Sequence, residues 1–249
     1  MKQLILALLL FIASPMYAAI AHDADSHTDG GTSATFNWSH TCTGSNLVLM
    51  VFVGIIDTGL HPTVSGITYN GVALTHVVAS NNYGTSSNYA DYWYIKNPTT
   101  GANSIAVTLS SAPNIQVFGG GISLTGVDQT NPIDAFNTSN SAGGNCPSSC
   151  PSVTVTTVAN NAFIVDGVID NGADQANYTK GASQTVSWNF NNAGGTRSAQ
   201  GSYTTAAVTP AGATAMTWTG STGAAWAQVG VSLKPASAGG GNTMPPAVY

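Results

Sequence analysis

Glutamate is absent from this chain. Arg197 is its only arginine, beside four lysines, and aspartate supplies all ten acidic groups. Charged residues make up 6% of the sequence, against about 25% in an ordinary globular domain. Each shortage argues against a class of function. Nucleic acid is a poor partner, because phosphate backbones demand clustered Lys and Arg. A calcium loop here lacks the bidentate Glu that would close it. A glycosidase would have to build both of its carboxylates from Asp. The pattern G-x-S-x-G does not occur, which removes the strained turn that serves a serine nucleophile. The three cysteines, Cys42, Cys146 and Cys150, fit neither C-x-x-C nor a zinc pattern. No segment carries an apolar stripe at helical period with caps. Beyond the N-terminus no apolar run approaches the roughly 20 residues of a membrane span.

What is present begins with Lys2, then the apolar run Leu4–Ala13, Ser14-Pro15 and small residues. That order predicts a secretory signal peptide. Cleavage after Ala18 or after Ala21 fits, and Ala19-Ile20-Ala21 is the better small-x-small site, so residues 1–21 are read as the leader. The mature chain is then expected to be secreted or held at the cell surface, with no membrane segment. Export permits disulfides. Cys146 and Cys150 enclose a short loop, and a local bridge between them would add little stability. Cys42 is left over, either buried or linking two chains.

Residues 22–33 read as a flexible lead-in, and residues 237–249 as a Gly/Pro-rich tail without periodicity. Between them, strand signals alternate with Gly and Asn turns. Phe36, Trp38 and His40 share a face at period two, as do Val186, Trp188 and Phe190, and likewise Ala227, Val229, Val231 and Leu233. Leu47–Ile56 is apolar throughout, as a strand covered on both faces should be. Asn70-Gly71 marks a hairpin. These signals predict an all-β protein: one antiparallel jelly-roll-like β-sandwich over residues 34–236, with flexible ends. Two smaller sandwiches dividing near residues 137–151 are the alternative.

A set of segments stands out: Ser39-His40-Thr41, Gly66–Leu74, Tyr92-Trp93-Tyr94-Ile95 with Asn97–Gly101, Ser123–Pro132 and Trp226–Pro235. Together they resemble a widespread, largely uncharacterised β-sandwich family of secreted bacterial proteins and phage structural proteins. The resemblance covers almost all of the mature chain. It implies a fold and no particular activity.

Candidate chemistry is sparse. Asp57, Asp91, Asp128, Asp134, Asp166, Asp170 and Asp174 could supply carboxylates, but Asp128 sits in a turn sequence where Asp caps its own backbone. Asp170-Asn171-Gly172-Ala173-Asp174 resembles the start of a calcium loop, with Asp170 and Asp174 as ligands. His22 would become an N-terminal copper ligand after cleavage at Ala21, with His27, His40, His61 or His76 as the second. His40, beside Phe36 and Trp38, reads as a hydrogen-bonded core histidine. Aromatic rings among amides are the better clue. Tyr83, Tyr89, Tyr92 and Tyr94 lie with Trp93 among Asn and Ser, and Trp226 falls on the polar side of its strand. Such rings stack on sugars or anchor interfaces. The expected function is a non-enzymatic extracellular structural protein, self-assembling through its free ends. A module binding extracellular polysaccharide is the alternative, and a secreted polysaccharide-active enzyme the third.

Overall fold

The structure, a computed structural model, describes residues 18–83, 87–142, 150–172, 178–191, 196–220 and 225–237. The signal-like segment before residue 18, Cys146, Asp174 and the tail from residue 238 lie outside the described residues, and so does the expected bridge to Cys150.

The described chain is all-β, and every ladder is antiparallel. The first half holds β1 (Ala21–Gly31), β2 (Thr35–Cys42), β3 (Val48–Asp57), β4 (Val64–Tyr69), β5 (Val72–Ala73), β6 (Thr75–Tyr83), β7 (Ser87–Lys96), β8 (Gly101–Leu109) and β9 (Gln116–Thr125). The second half holds β10 (Ile133–Ser141), β11 (Ser152–Thr156), β12 (Phe163–Asp170), β13 (Thr179–Lys180), β14 (Gln184–Asn191), β15 (Ser198–Thr204), β16 (Ala213–Thr219) and β17 (Trp226–Leu233).

The two halves follow one path. The first forms an inner sheet ordered β1-β9-β3-β7-β6 and an outer sheet β2-β8-β4-β5. The second forms an inner sheet β10-β17-β12-β15-β14 and an outer sheet β11-β16-β13. The strands correspond in sequence order, so the same winding occurs twice. Gly121-Ile122-Ser123-Leu124 and Gly230-Val231-Ser232-Leu233 occupy matching places, with Leu124 opposite Val48 and Leu233 opposite Phe163. The two halves are joined through residues 126–132, and their inner sheets share one core, so the described chain is a single stacked β-sandwich body. The alternative division near residues 137–151 does not coincide with this junction, because residues 137–141 belong to β10 and pair with β17.

The layers stack as outer, inner, inner, outer. The two inner sheets meet in the largest core, where Phe52, Tyr92, Phe118 and Ile122 pack against Val165, Ile169, Trp188 and Val229. The first outer sheet closes a second core over Leu49, Val51, Val53 and Ile55, and the other outer sheet covers Ile164 and Val168. Strands β3, β12 and β17 are thus covered on both faces, which is why every residue in them is buried. The glycine run Gly119-Gly120-Gly121 lies in β9 for a related reason. A Cβ on Gly119 would stand 2.6 Å from the Trp38 ring, and one on Gly120 would stand 2.2 Å from the Trp188 ring. The bare backbone lets one tryptophan lie against each face of the strand.

Residues 22–33 do not form a flexible lead-in: 22–31 lie in β1, an edge strand paired with β9 along its length. The strand is polar because its side chains bond to neighbouring elements. Asp23 accepts from Thr43 N at 2.8 Å and from Ser123 Oγ at 2.6 Å, and Trp38 Nε1 donates to Ser26 Oγ at 2.9 Å. The fold also reaches upstream of Ala21. Ala18 N donates to Ala236 O at 2.9 Å, and Ile20 is 7% exposed within the central core. Cys42 is a free thiol with no exposure, which rules it out as a linker between chains.

Candidate functional site

The aromatic segment resolves by strand alternation. On β7, Ala90 and Tyr92 face the other inner sheet, while Tyr89, Asp91 and Trp93 face outward. Tyr92 is 1% exposed and meets Phe52 edge-on at 5.4 Å, so it is a core residue and no ligand platform. Tyr94 is half-buried against the same core. The Tyr83 side chain lies outside the described residues. Trp226 is 4% exposed, packed with Tyr178 and Trp218. It does share a polar strand face with Gln228 and Ser232, but an outer sheet covers that face. Of the expected rings, only Tyr89 stands at a site that could take a ligand.

That site is built around Asp91, 1% exposed. Its Oδ2 accepts from Trp93 Nε1 at 2.9 Å and from the Tyr89 hydroxyl at 3.1 Å. His76 Nε2 lies 2.9 Å from Oδ1, and its ring meets Trp93 edge-on at 5.1 Å. The hydrogen bond to Asp91 holds the His76 pKa above the ordinary imidazole value, against the opposing effect of burial. Strand β6 extends the inner sheet past β7. Directly opposite Trp93, Asp91 and Tyr89 it places His76, Ala79 and Asn81 on the same face. His76 and Asn81 are exposed and Ala79 half-buried. The result is a ledge: aromatic at the back, small in the middle, polar at the rim. His76 and Asp91 were not legible as partners from sequence, because a cross-strand contact has no fixed spacing.

The other polar clusters are internal staples. Asp57 accepts from Leu60 N, His61 N and Asn114 N. Asp134 accepts from Val158 N and Ala159 N. Asp128 accepts from Thr130 N at 2.7 Å and Asn131 N at 3.1 Å, the expected turn cap. Asp166 is fully buried between the second pair of sheets, where Ser202, Trp218 Nε1 and Gln228 Nε2 donate to it. Burial nevertheless raises its pKa to about 6. Asp170 takes the Tyr178 hydroxyl, and burial raises its pKa to about 7. The carboxyl of Asp170 is therefore buried against Tyr178, while Asp174, the other expected calcium ligand, lies outside the described residues. Among the described residues no three His, Cys, Asp or Glu side chains gather as metal ligands.

His40 is 1% exposed, and burial lowers its pKa to about 4. Its Nδ1 lies 2.7 Å from Ser26 Oγ. The indole of Trp38 can only donate, so Ser26 accepts from it and its own O–H donates a hydrogen bond to His40 Nδ1. The proton of neutral His40 then sits on Nε2, which has no partner. A serine–histidine pair without a carboxylate behind it lacks the arrangement of a hydrolase triad. His22 is held within the fold: in β1 it pairs with Leu124 of β9, stacks on Tyr203 at 5.0 Å and lies 2.8 Å from Asp25.

No family model matches this chain, and no curated protein or solved structure matches it either.

Proposed function

We propose that the protein is a non-enzymatic extracellular structural subunit that associates with copies of itself through the side carrying β6 and β10. Support comes from a difference between the two open sides of the molecule. On one side lie β1 and β14. There β1 carries Asp23, Asp25 and Asp29 and has two register shifts, and β14 has one. Charges and bulges on an edge strand discourage pairing with another chain. On the other side lie β6 and β10, joined where Ser80 Oγ donates to Ser139 O at 3.1 Å. Their one Asp is Asp134, near the start of β10 and already bonded to Val158 N and Ala159 N, and each strand has its single shift near its start.

The observation that carries the reading is Phe136, 54% exposed on the β10 edge. A long, nearly uncharged edge with an exposed aromatic side chain suits strand addition by a second copy, held by main-chain hydrogen bonds. The N-terminal segment invoked from sequence is not the source of association in this reading, since β1 is already paired in its own sheet. The low charge and the signal-like N-terminus support an extracellular setting. Sedimentation velocity of the chain from Ala19 onward should show concentration-dependent association that persists in about 1 M salt, where the Debye length falls to about 3 Å. Phe136→Lys should make it monomeric without lowering its melting temperature. A monomer at all concentrations, or association unchanged in the variant, would sink the reading.

A further inference from the structure

We infer that the ledge formed by Trp93, Tyr89, His76, Ala79 and Asn81 is a binding site for a neutral saccharide. The inference is independent of the assembly reading. Four observations carry it.

The rings are fixed before any ligand arrives. The Asp91 carboxylate holds Trp93 Nε1, the Tyr89 hydroxyl and His76 Nε2 together, so little rotamer freedom remains to be lost on binding. The indole N–H is consumed in this bond, which leaves the Trp93 ring to offer apolar surface. Flat aromatic surface beside a few oriented polar groups is suited to a ring with one C–H face and peripheral hydroxyls.

The middle of the ledge carries only a methyl side chain. Ala79 stands directly opposite Asp91, between His76 and Asn81 on β6, and all three lie on the face that Trp93 and Tyr89 share. At the rim, His76 is 46% exposed in its side chain, and Asn81 is exposed. The imidazole Nδ1 and the Asn81 amide provide donors and acceptors within reach of hydroxyl groups on a ligand seated over Ala79.

The charge selects the class. Strands β6 and β7 contain no arginine, and Lys96, at the far end of β7, is their only lysine, with Nζ 3.4 Å from Thr130 O. The buried charge beneath the ledge is the carboxylate of Asp91. Uronic acids, sialic acids and sulfated sugars would find no Lys or Arg on the ledge, and the charge of His76 when protonated is already matched by Asp91. Neutral hexose chains meet no such penalty.

The test uses the chain from Ala19 onward, titrated with neutral oligosaccharides (gluco-, manno- and galacto-series) and with oligogalacturonate. The readout is the indole N–H resonance of Trp93, assigned by its loss in Trp93→Phe. At least one neutral series should shift this resonance with a dissociation constant near 1 mM or tighter, equivalent to about 4 kcal/mol, and oligogalacturonate should not. Trp93 also packs on the core, so two variants on exposed or half-buried positions decide the matter. His76→Ala should weaken binding by at least about tenfold. Ala79→Leu should fill the ledge and abolish binding while the fold is retained. Phe136→Lys should bind sugar like the parent chain, which separates this site from assembly. No shift with any neutral series up to about 10 mM, preference for the acidic sugar, or unchanged binding in both ledge variants would overturn the inference.

Discussion

At the scale of single residues, burial rather than residue type decides the role. Trp226 shares its strand face with Gln228 and Ser232, and Trp93 shares its own with Asp91. One is covered by an outer sheet, and the other borders a ledge. Trp188 shows the same dependence on neighbours, since it fits only because Gly120 and Gly201 leave room for its indole. Gly120→Ala should therefore lower stability by about 1–3 kcal/mol, or roughly 3–10 °C in melting temperature. In a Trp188→Leu background the same change should cost less than half as much. Equal costs in both backgrounds would show that the indole is not the obstacle. The buried carboxyls make a second prediction. Asp170 and Asp166 hold protons more tightly in the fold than when unfolded, with pKa values near 7 and 6 against 3.8. The stability they contribute is complete below about pH 4 and is lost as pH rises through their folded values. His40 acts in the opposite sense: its folded value is about 4 against 6.5, so it destabilises as pH falls between them. Asp170→Asn should thus be more stable relative to the parent at about pH 8 than at about pH 5, by several °C. Thermal scans at both pH values check the sign.

Among the elements, β1 differs most from its sequence-based expectation. Its polar side chains lack an apolar alternation, yet they bond to Trp38, His40 and Ser123 in neighbouring strands and to Thr43 just past β2. Removing residues 19–31 should strip the edge from β9 and expose its glycine run. We expect loss of the cooperative melt; an unchanged far-UV spectrum and melting temperature in the truncated protein would contradict this. The same strand bears on processing. Cutting after Ala21 would discard Ile20 from the central core, which amounts to about 1.5–3 kcal/mol of apolar burial. Cleavage after Ala18 keeps it. Intact mass of exported protein should therefore show Ala19 as the first residue, and His22 at the terminus would count against this account.

For the whole molecule, the shared core matters more than the repeated path. Each half has its own outer sheet, but Phe52, Tyr92 and Phe118 find their partners in Trp188, Ile169 and Val229 of the other half. Separated, each half would expose one face of a five-stranded sheet. Calorimetry should give one transition whose calorimetric and van't Hoff enthalpies agree, and neither residues 18–127 nor residues 128–237 should fold alone. Two resolved transitions would mean that the halves are independent domains.

The amino-acid sequence by itself determined what depends on local spacing. The apolar run Leu47–Ile56 marks β3 as covered on both faces. Asn70-Gly71 turns β4 into β5 with both residues at positive φ, 49° and 78°. Asp128 caps its turn, and the absence of helical stripes specifies an all-β chain. These features need only neighbours along the chain. The tertiary structure decided what depends on which surface covers which. Period-two alternation assigns residues to two faces of a strand but is silent on whether either face meets water. In a four-layer stack both faces of an inner strand are dry, so the polar side of β17 became interior and Trp226 a core residue. Alternation also carries no information about the partner across a ladder. That is why the union of His76 on β6 with Asp91 and Trp93 on β7, and the docking of a polar lead-in as β1, emerged only when the sheets were assembled.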